Sequence, residues 1–385
     1  MNKYIFVILS LAIGFQSQGQ IIIGSNQYTE YHPGNLPIVI SVPHGGSLSP
    51  SSIPDRTCNN AVADMDANTI ELGKQIDSAF ANATGCHPYM IYCNLHRAKL
   101  DCNRNKADGA CGNAAAGNAW TEFHGFIDSA QASAQSKFGG KAFYIDLHGH
   151  GNPIQRLELG YLLYDNELGF SDNVLNSAQY VGYSSIRNLV STNVNGFTHG
   201  ELLRGEFALG TLFGRAGYAS VPSQQIPSPG TTTNYYSGGY NTANHTSYVQ
   251  SITVNGLQME CNYANVRDSY FHRRKFADSL VVVMLKYLKI HQNINTENCS
   301  VTSKAQILDE TGIRISPNPA HDFLHIQSDE PDAVFEVEFI NAYGQTIFVS
   351  KGQSWIDVRS MPKGVYILNL STGKKMRIRR KVVLE

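Results

Sequence analysis

Charge of either sign is scarce in this 385-residue chain: Asp, Glu, Lys and Arg make up 16% of it, against roughly 25% in an average soluble protein. The charges present cancel, 30 basic side chains against 31 acidic ones, for a net of −1. With no global field to draw in nucleic acid or an anionic membrane, recognition has to come from a local site. Long hydrophobic runs are missing as well. Beyond the first twenty residues no stretch reaches the roughly 20 consecutive apolar positions of a transmembrane helix, so none is expected in the mature chain. Nor is there a Gly-Lys-Ser/Thr phosphate loop, a dinucleotide fingerprint, or a Gly-x-Ser-x-Gly turn around Ser223 that would make it a nucleophile.

What is there is ordinary globular composition, 42% apolar and 10% aromatic, which argues against disorder throughout. At roughly 100–200 residues per domain, the length predicts two domains plus an export sequence. Residues 1–20 supply the last. One Lys precedes an apolar run from Tyr4 to Phe15, and small and polar residues follow, the layout of a secretory signal too short to span a bilayer. Export places Cys58, Cys86, Cys93, Cys102, Cys111, Cys261 and Cys299 in an oxidising compartment where disulfides persist. Structural staples are favoured over metal ligands, and an odd number leaves at least one cysteine over or paired outside the chain. Cys102 and Cys111, which bracket a short Asn/Gly/Ala-rich loop, are the preferred pair.

Between about 21 and 291, short β-branched or aromatic runs at 37–42, 90–95, 141–147 and 251–261 alternate with helical spacing over 61–80, 120–136 and 266–290. Strand and helix in turn predict an α/β fold, a mixed and mostly parallel central sheet flanked by helices. Residues 197–245, rich in Gly, Ser, Thr, Tyr and Pro, are expected as a long ordered loop over the sheet edge. An Asn-, Gln-, Thr- and Ser-rich linker over 292–312 leads to residues 313–385, whose period-two alternation between closely spaced turns predicts a small β-sandwich. Its basic last strand, with Lys374, Lys375, Arg377, Arg379, Arg380 and Lys381, reads as a solvated sheet edge rather than a nucleic-acid site.

Three blocks of this tail, Ser316-Pro317-Asn318-Pro319, Asn341-Ala342-Tyr343-Gly344-Gln345 and Pro362-Lys363-Gly364-Val365-Tyr366, stand ahead of that basic strand. In that order they resemble the C-terminal sorting domain of the type IX secretion system. The resemblance implies the type IX machinery as a partner, translocation across an outer membrane, and a secreted or surface-attached product.

In open α/β sheets, ligands bind outside the carboxyl ends of the strands, and polar residues gather at four such ends. They are His44 in Val42-Pro43-His44-Gly45-Gly46, Asn103 and Arg104 beyond the second strand, His148 in Asp146-Leu147-His148-Gly149-His150, and Glu260 in Gln258-Met259-Glu260. The two glycines after His44 are expected to let the backbone approach a bound group closely. Two imidazoles, a carboxylate and a guanidinium at one rim are the parts of metal-assisted hydrolysis. A catalytic zinc takes three N or O ligands and leaves a position for water, whose pKa falls toward roughly 7. Glu260 suits the role of base, taking that proton and returning it to a leaving amine. Asp146, two residues before His148 on the same strand face, suits an acceptor for the imidazole's second N–H. Arg104 suits a substrate carboxylate, which a guanidinium holds through two parallel hydrogen bonds. Asn103, Arg156 and His245 are further candidates for the substrate pocket.

Together with Asp66-Ala67-Asn68-Thr69-Ile70-Glu71-Leu72 and Leu95-His96-Arg97, these motifs resemble the N-formylglutamate amidohydrolase family over about residues 35–290. That family is similar in turn to zinc carboxypeptidases and aspartoacylase-like deacylases. The resemblance implies a fold of the zinc exopeptidase type, with one zinc ion on His44 and His148, Glu260 as base and Arg104 as carboxylate clamp. The implied reaction is hydrolysis of an amide bond in a small carboxylate-bearing substrate, an N-acyl or N-formyl amino acid or a short peptide. One departure stands out. Where the carboxypeptidase-like pattern has an acidic ligand three residues after the first His, this chain has Ser47. The third ligand is then Asp66, as in the resembling family, or His150. The same departure keeps open a second function, a secreted binding module that retained the pocket without turnover.

Overall fold

The computed structural model describes residues 20–58, 61–230, 234–294, 313–328, 335–341, 345–372 and 377–384. The expected export signal and most of the expected linker lie outside the described residues, as do Lys374, Lys375 and the turn at 342–344. The chain divides into two compact units, Met1–Val301 and Thr302–Glu385.

The first unit is built on eight strands: β1 (Ile22–Ile23), β2 (Thr29–His32), β3 (Ile38–Val42), β4 (Tyr89–Cys93), β5 (Phe143–His150), β6 (Leu157–Gly160), β7 (Ser220–Val221) and β8 (Asn255–Asn262). They form one sheet in the order β1-β2-β4-β3-β5-β8-β6-β7. The middle of it, β4-β3-β5-β8, is parallel. β2 on one side and β6 on the other join it antiparallel. Every residue of β3 and β4 is buried, as a sheet covered on both faces requires.

Three long helices provide the cover: α1 (Thr69–Thr84), α2 (Ala114–Lys137) and α3 (Tyr270–Gln292). Alternation along β3 sends Ile38, Ile40 and Val42 into one core with Leu72, Phe80, Phe276 and Leu280 of α1 and α3. Val39 enters the other core with Phe123 and Ile127 of α2. Period two on the strand and period 3.6 on the helix thus meet in two apolar layers.

Three expectations need correction. The first helix starts at Thr69 rather than in the early 60s, because Asn68 takes a left-handed φ of 65° at its N-cap, a conformation no helix continues through. The region 197–245 is not one loop. It contains the helices His199–Arg204, Leu209–Arg215 and Tyr240–Asn244 and the strand β7, since Leu202, Leu203, Leu209, Leu212 and Phe213 are buried despite the surrounding glycines. Cys111 is bonded to Cys58, not to Cys102. Cys102 is a fully buried free thiol hydrogen-bonded to Cys93, while Cys58 and Cys111 are only partly buried. Cys86 is disulfide-bonded as well.

The second unit pairs two antiparallel sheets. One holds β9 (Ile313–Ser316), β10 (Phe323–Ser328) and β13 (Trp355–Asp357). The other holds β11 (Phe335–Ile340), β12 (Thr346–Lys351), β14 (Gly364–Thr372) and β15 (Arg377–Leu384). Leu324, Ile326 and Ile356 from the first sheet share a core with Val337, Phe339, Leu368 and Leu370 from the second, the small β-sandwich expected from the alternation. Among the described strands the basic strand β15 pairs with β14 and stands last in its sheet, with an isolated bridge from Leu384 to Ala320.

Candidate active site

The carboxyl ends of β3 and β5 form one rim, and the chain is tied across it by its own backbone. His44 lies just past β3, and its carbonyl accepts the N–H of Asp66 at 3.0 Å. The Asp66 carbonyl in turn accepts the N–H and hydroxyl of Thr69 at 3.3 and 2.8 Å, which starts α1. The glycines after His44 permit this packing: a Cβ on Gly45 would overlap the Thr69 hydroxyl, and one on Gly46 the backbone of Asn94.

Asp66 is thereby swung over two imidazoles. His148 Nδ1 is 3.1 Å from Asp66 Oδ2, and its Nε2 is 2.8 Å from Asp146 Oδ2. His44 Nε2 is 2.7 Å from Asp101 Oδ1. Its Nδ1 is buried and makes no hydrogen bond, though it lies 3.5 Å from Asp66 Oδ2. The rings meet edge to face at 4.7 Å between centroids and 72°. One ligand atom from each of His44, Asp66 and His148 falls within 4.8 Å of the others, and all three residues are buried. Such a donor set, two nitrogens and one oxygen with a carboxylate behind each ring, is suited to zinc. The partnerless His44 nitrogen is the observation that fits the ion, since buried polar atoms are seldom left unpaired.

Burial would push the Asp66 carboxyl up, but the charge of His44 and the hydrogen bond from His148 outweigh it and hold the group well below the usual carboxylate range. Asp101 is lowered too, its burial overcome by His44, Arg97 and Arg56. For His148, burial works downward, yet Asp146 and Asp66 raise its pKa well above the ordinary imidazole value. Glu260 goes the other way. It faces His148 in register across β5 and β8. Burial and the neighbouring charges of Asp66 and Glu158 push it up to about 7 against the pull of His148 and His44. Gln258 Nε2 donates to its Oε1 at 2.9 Å.

The other expected residues divide. Arg104 is close by, its Nε 3.3 Å from Asp101 Oδ2 and its side chain 31% exposed. Asn103 has both ends of its amide engaged within the protein: Nδ2 is 3.2 Å from His148 Nε2 and from Gln258 Oε1, and Oδ1 accepts the Asn241 N–H at 2.8 Å. Arg156 is buried 3.6 Å from Glu158, which neighbours Glu260 in register. His150 is spoken for, with Nε2 on the Arg156 carbonyl at 2.8 Å and Nδ1 accepting from Asn152 at 3.1 Å. His245 does not reach the rim. It is buried against His124, Asp128 and Tyr144, which lies two residues before Asp146 on β5; Nε2 is hydrogen-bonded to His124, and Nδ1 makes no hydrogen bond but lies 3.1 Å from the Asp128 carboxylate. Asp101 has no signal in the sequence, because it lies beyond a strand rather than on one. Glu158, readable from sequence either as a pocket residue or as half of an ion pair, sits on β6 beside Arg156.

No curated protein matches the chain. The crystal structure of an N-formylglutamate amidohydrolase from Ralstonia eutropha is similar at a TM-score of 0.41 and 11% identity, over 69% of this chain and 99% of that one. A likeness of that degree leaves the chemistry to be read from the side chains. Residues 314–385 match the family model described as the secretion system C-terminal sorting domain, and among the described residues no helix is long and apolar enough to cross a membrane. The second unit is thus a sorting tail of the type IX kind, and it assigns the protein to the cell surface or the medium.

Proposed function

We propose that the first unit is an exported zinc-dependent hydrolase that breaks an amide bond in a small carboxylate-bearing substrate, an N-acyl amino acid or short peptide. The observation that carries this is the approach of His44 Nδ1 and His148 Nδ1 to one Asp66 oxygen, at 3.5 and 3.1 Å, with Asp101 and Asp146 behind the rings. Those three residues would hold one zinc ion, which supplies polarisation of a carbonyl and acidification of a bound water. Asp101 and Asp146 accept from the two Nε2 atoms, so each imidazole keeps its Nδ1 lone pair turned toward the shared point. Glu260, held up near neutrality, takes a proton from the attacking water and passes it to the leaving nitrogen. The C–N bond is replaced by a C–O bond on the acyl side and an N–H on the amine. Arg104 keeps one nitrogen on Asp101 and offers its remaining donors to the substrate carboxylate. Asn103 donates to Gln258 and accepts from the Asn241 N–H, which holds Gln258 in place for its bond to Glu260.

The test is zinc content of protein purified without added metal, together with turnover of a panel of acyl-amino acids and short peptides. Glu260→Gln is expected to keep its zinc and lose about 10²–10⁴-fold in kcat. Unchanged turnover in that variant would remove Glu260 from the chemistry. A wild-type chain that binds no zinc and turns over none of the panel would leave a ligand-binding module instead.

A further inference from the structure

We infer that Arg267 is the positioning residue that locks the candidate zinc ligands and the candidate base into one arrangement; the inference rests on the reading of the site just given. Arg267 ends the turn Tyr263–Arg267 between β8 and α3 and is 2% exposed. Its Nε donates to the Cys261 carbonyl at 3.0 Å, its Nη2 to the His150 carbonyl at 2.9 Å, and its Nη1 to the Ala67 carbonyl. These carbonyls belong to residues one past Glu260, two past His148 and one past Asp66. Three segments remote in sequence, each bearing one functional side chain, thus hang on one planar fork. The clamp is closed from the other side, where Asn68 Nδ2 donates to the Arg267 carbonyl at 2.9 Å.

Gly149 completes it. Its N–H donates to Asp66 Oδ2 at 3.1 Å, and a Cβ at this position would overlap the guanidinium. No lysine could replace the fork, because a guanidinium presents its donors in fixed directions in one plane whereas an ammonium is a point charge on a flexible stem. Burial works against the charge of Arg267, and Cys261, Asp66 and Glu260 work to retain it.

Arg204 is the natural control. It too donates to three carbonyls, of Leu168, Phe170 and Pro227, at 2.7, 2.6 and 3.4 Å, but none adjoins a site residue. The experiment is titration of the metal-free full chain with cobalt(II), followed by its visible spectrum and by competition with a chelator. Arg267→Gln is expected to weaken cobalt binding about 10–100-fold, the usual cost of losing an outer support of a metal ligand, and to alter the spectrum. Arg267→Lys should fall between it and wild type. Gly149→Ala, which displaces the guanidinium without removing any charge, should reproduce the loss, and it tests the inference should both Arg267 variants fail to fold. Arg204→Gln should lower Tm and leave affinity and spectrum alone. Wild-type affinity and spectrum in a folded Arg267→Gln or Gly149→Ala chain would overturn the inference. A wild-type chain that takes up no cobalt would overturn the zinc reading instead.

Discussion

Two pairs of buried histidines touch in the first unit, and they are built on opposite plans. His44 and His148 meet edge to face with no hydrogen bond between them, each with a buried carboxylate at its back and its other nitrogen toward Asp66. His124 and His245 stack at 17° and share a direct hydrogen bond of 2.7 Å. The outer nitrogens of this second pair meet the Cys102 carbonyl at 3.1 Å and Asp128 at 3.1 Å. Burial is alike in the two pairs. What separates the proposed ligand pair from the other is where the second nitrogen goes. Electrostatics follows: acids raise His148 well above the ordinary value, whereas burial and the neighbouring His245 lower His124 to about 3.

The sharpest way to break this distinction is to remove one histidine from each pair. His44→Ala or His148→Ala takes away a proposed ligand. Bound zinc per chain, measured by elemental analysis after dialysis, should fall to background, and turnover with it. His245→Gln should retain zinc and turnover and lower only Tm. Zinc loss in His245→Gln would mean that the second pair is part of the metal centre after all. A smaller effect is expected one step further out. Asp146→Asn keeps the volume but weakens the acceptor behind His148, and should cost about 10–100-fold in zinc affinity by chelator competition. Asp128→Asn makes the parallel change behind His245 and should leave that affinity unaltered.

The first pair was legible from sequence and the second was not, for physical reasons. Strands β3, β4, β5 and β8 announce themselves as short apolar runs, and a parallel sheet places its functional groups just past the ends of such runs. His44 and His148 can be found by that rule alone, and Asp146 by counting two back along the same face. Asp101 is reached through the turn at 97–104, whose path depends on Arg56 and Arg97 closing on its carboxylate at 3.5 and 3.1 Å. Nothing local encodes that. The same holds for Arg267, whose partners at 67, 150 and 261 are set only by tertiary packing, and for Cys58 and Cys111, 53 residues apart. His245 looked like a pocket residue because it closes a Gly- and Tyr-rich stretch, but the helix Tyr240–Asn244 turns it inward beside α2.

The least dramatic contrast between the pairs lies in the pH dependence of stability without metal, and there the two signs differ. His124 has a folded pKa depressed to about 3 from 6.5. Its contribution is therefore fully present above pH 6.5 and is lost as pH falls toward 3, because the unfolded chain takes up the proton first. At about 1.4 kcal/mol per unit, protonation of the unfolded imidazole alone should remove about 2 kcal/mol between pH 7 and pH 5. His148, raised in the folded state, contributes below 6.5 and loses that contribution as pH climbs through its folded pKa. Urea midpoints measured in a chelator from pH 5 to 9 separate the two. His124→Gln should flatten the acid limb and preserve the alkaline one, whatever it does to stability at pH 7. An acid limb as steep as that of wild type would show that the His124 imidazole holds its proton in the folded chain, and the contrast with His148 would be lost.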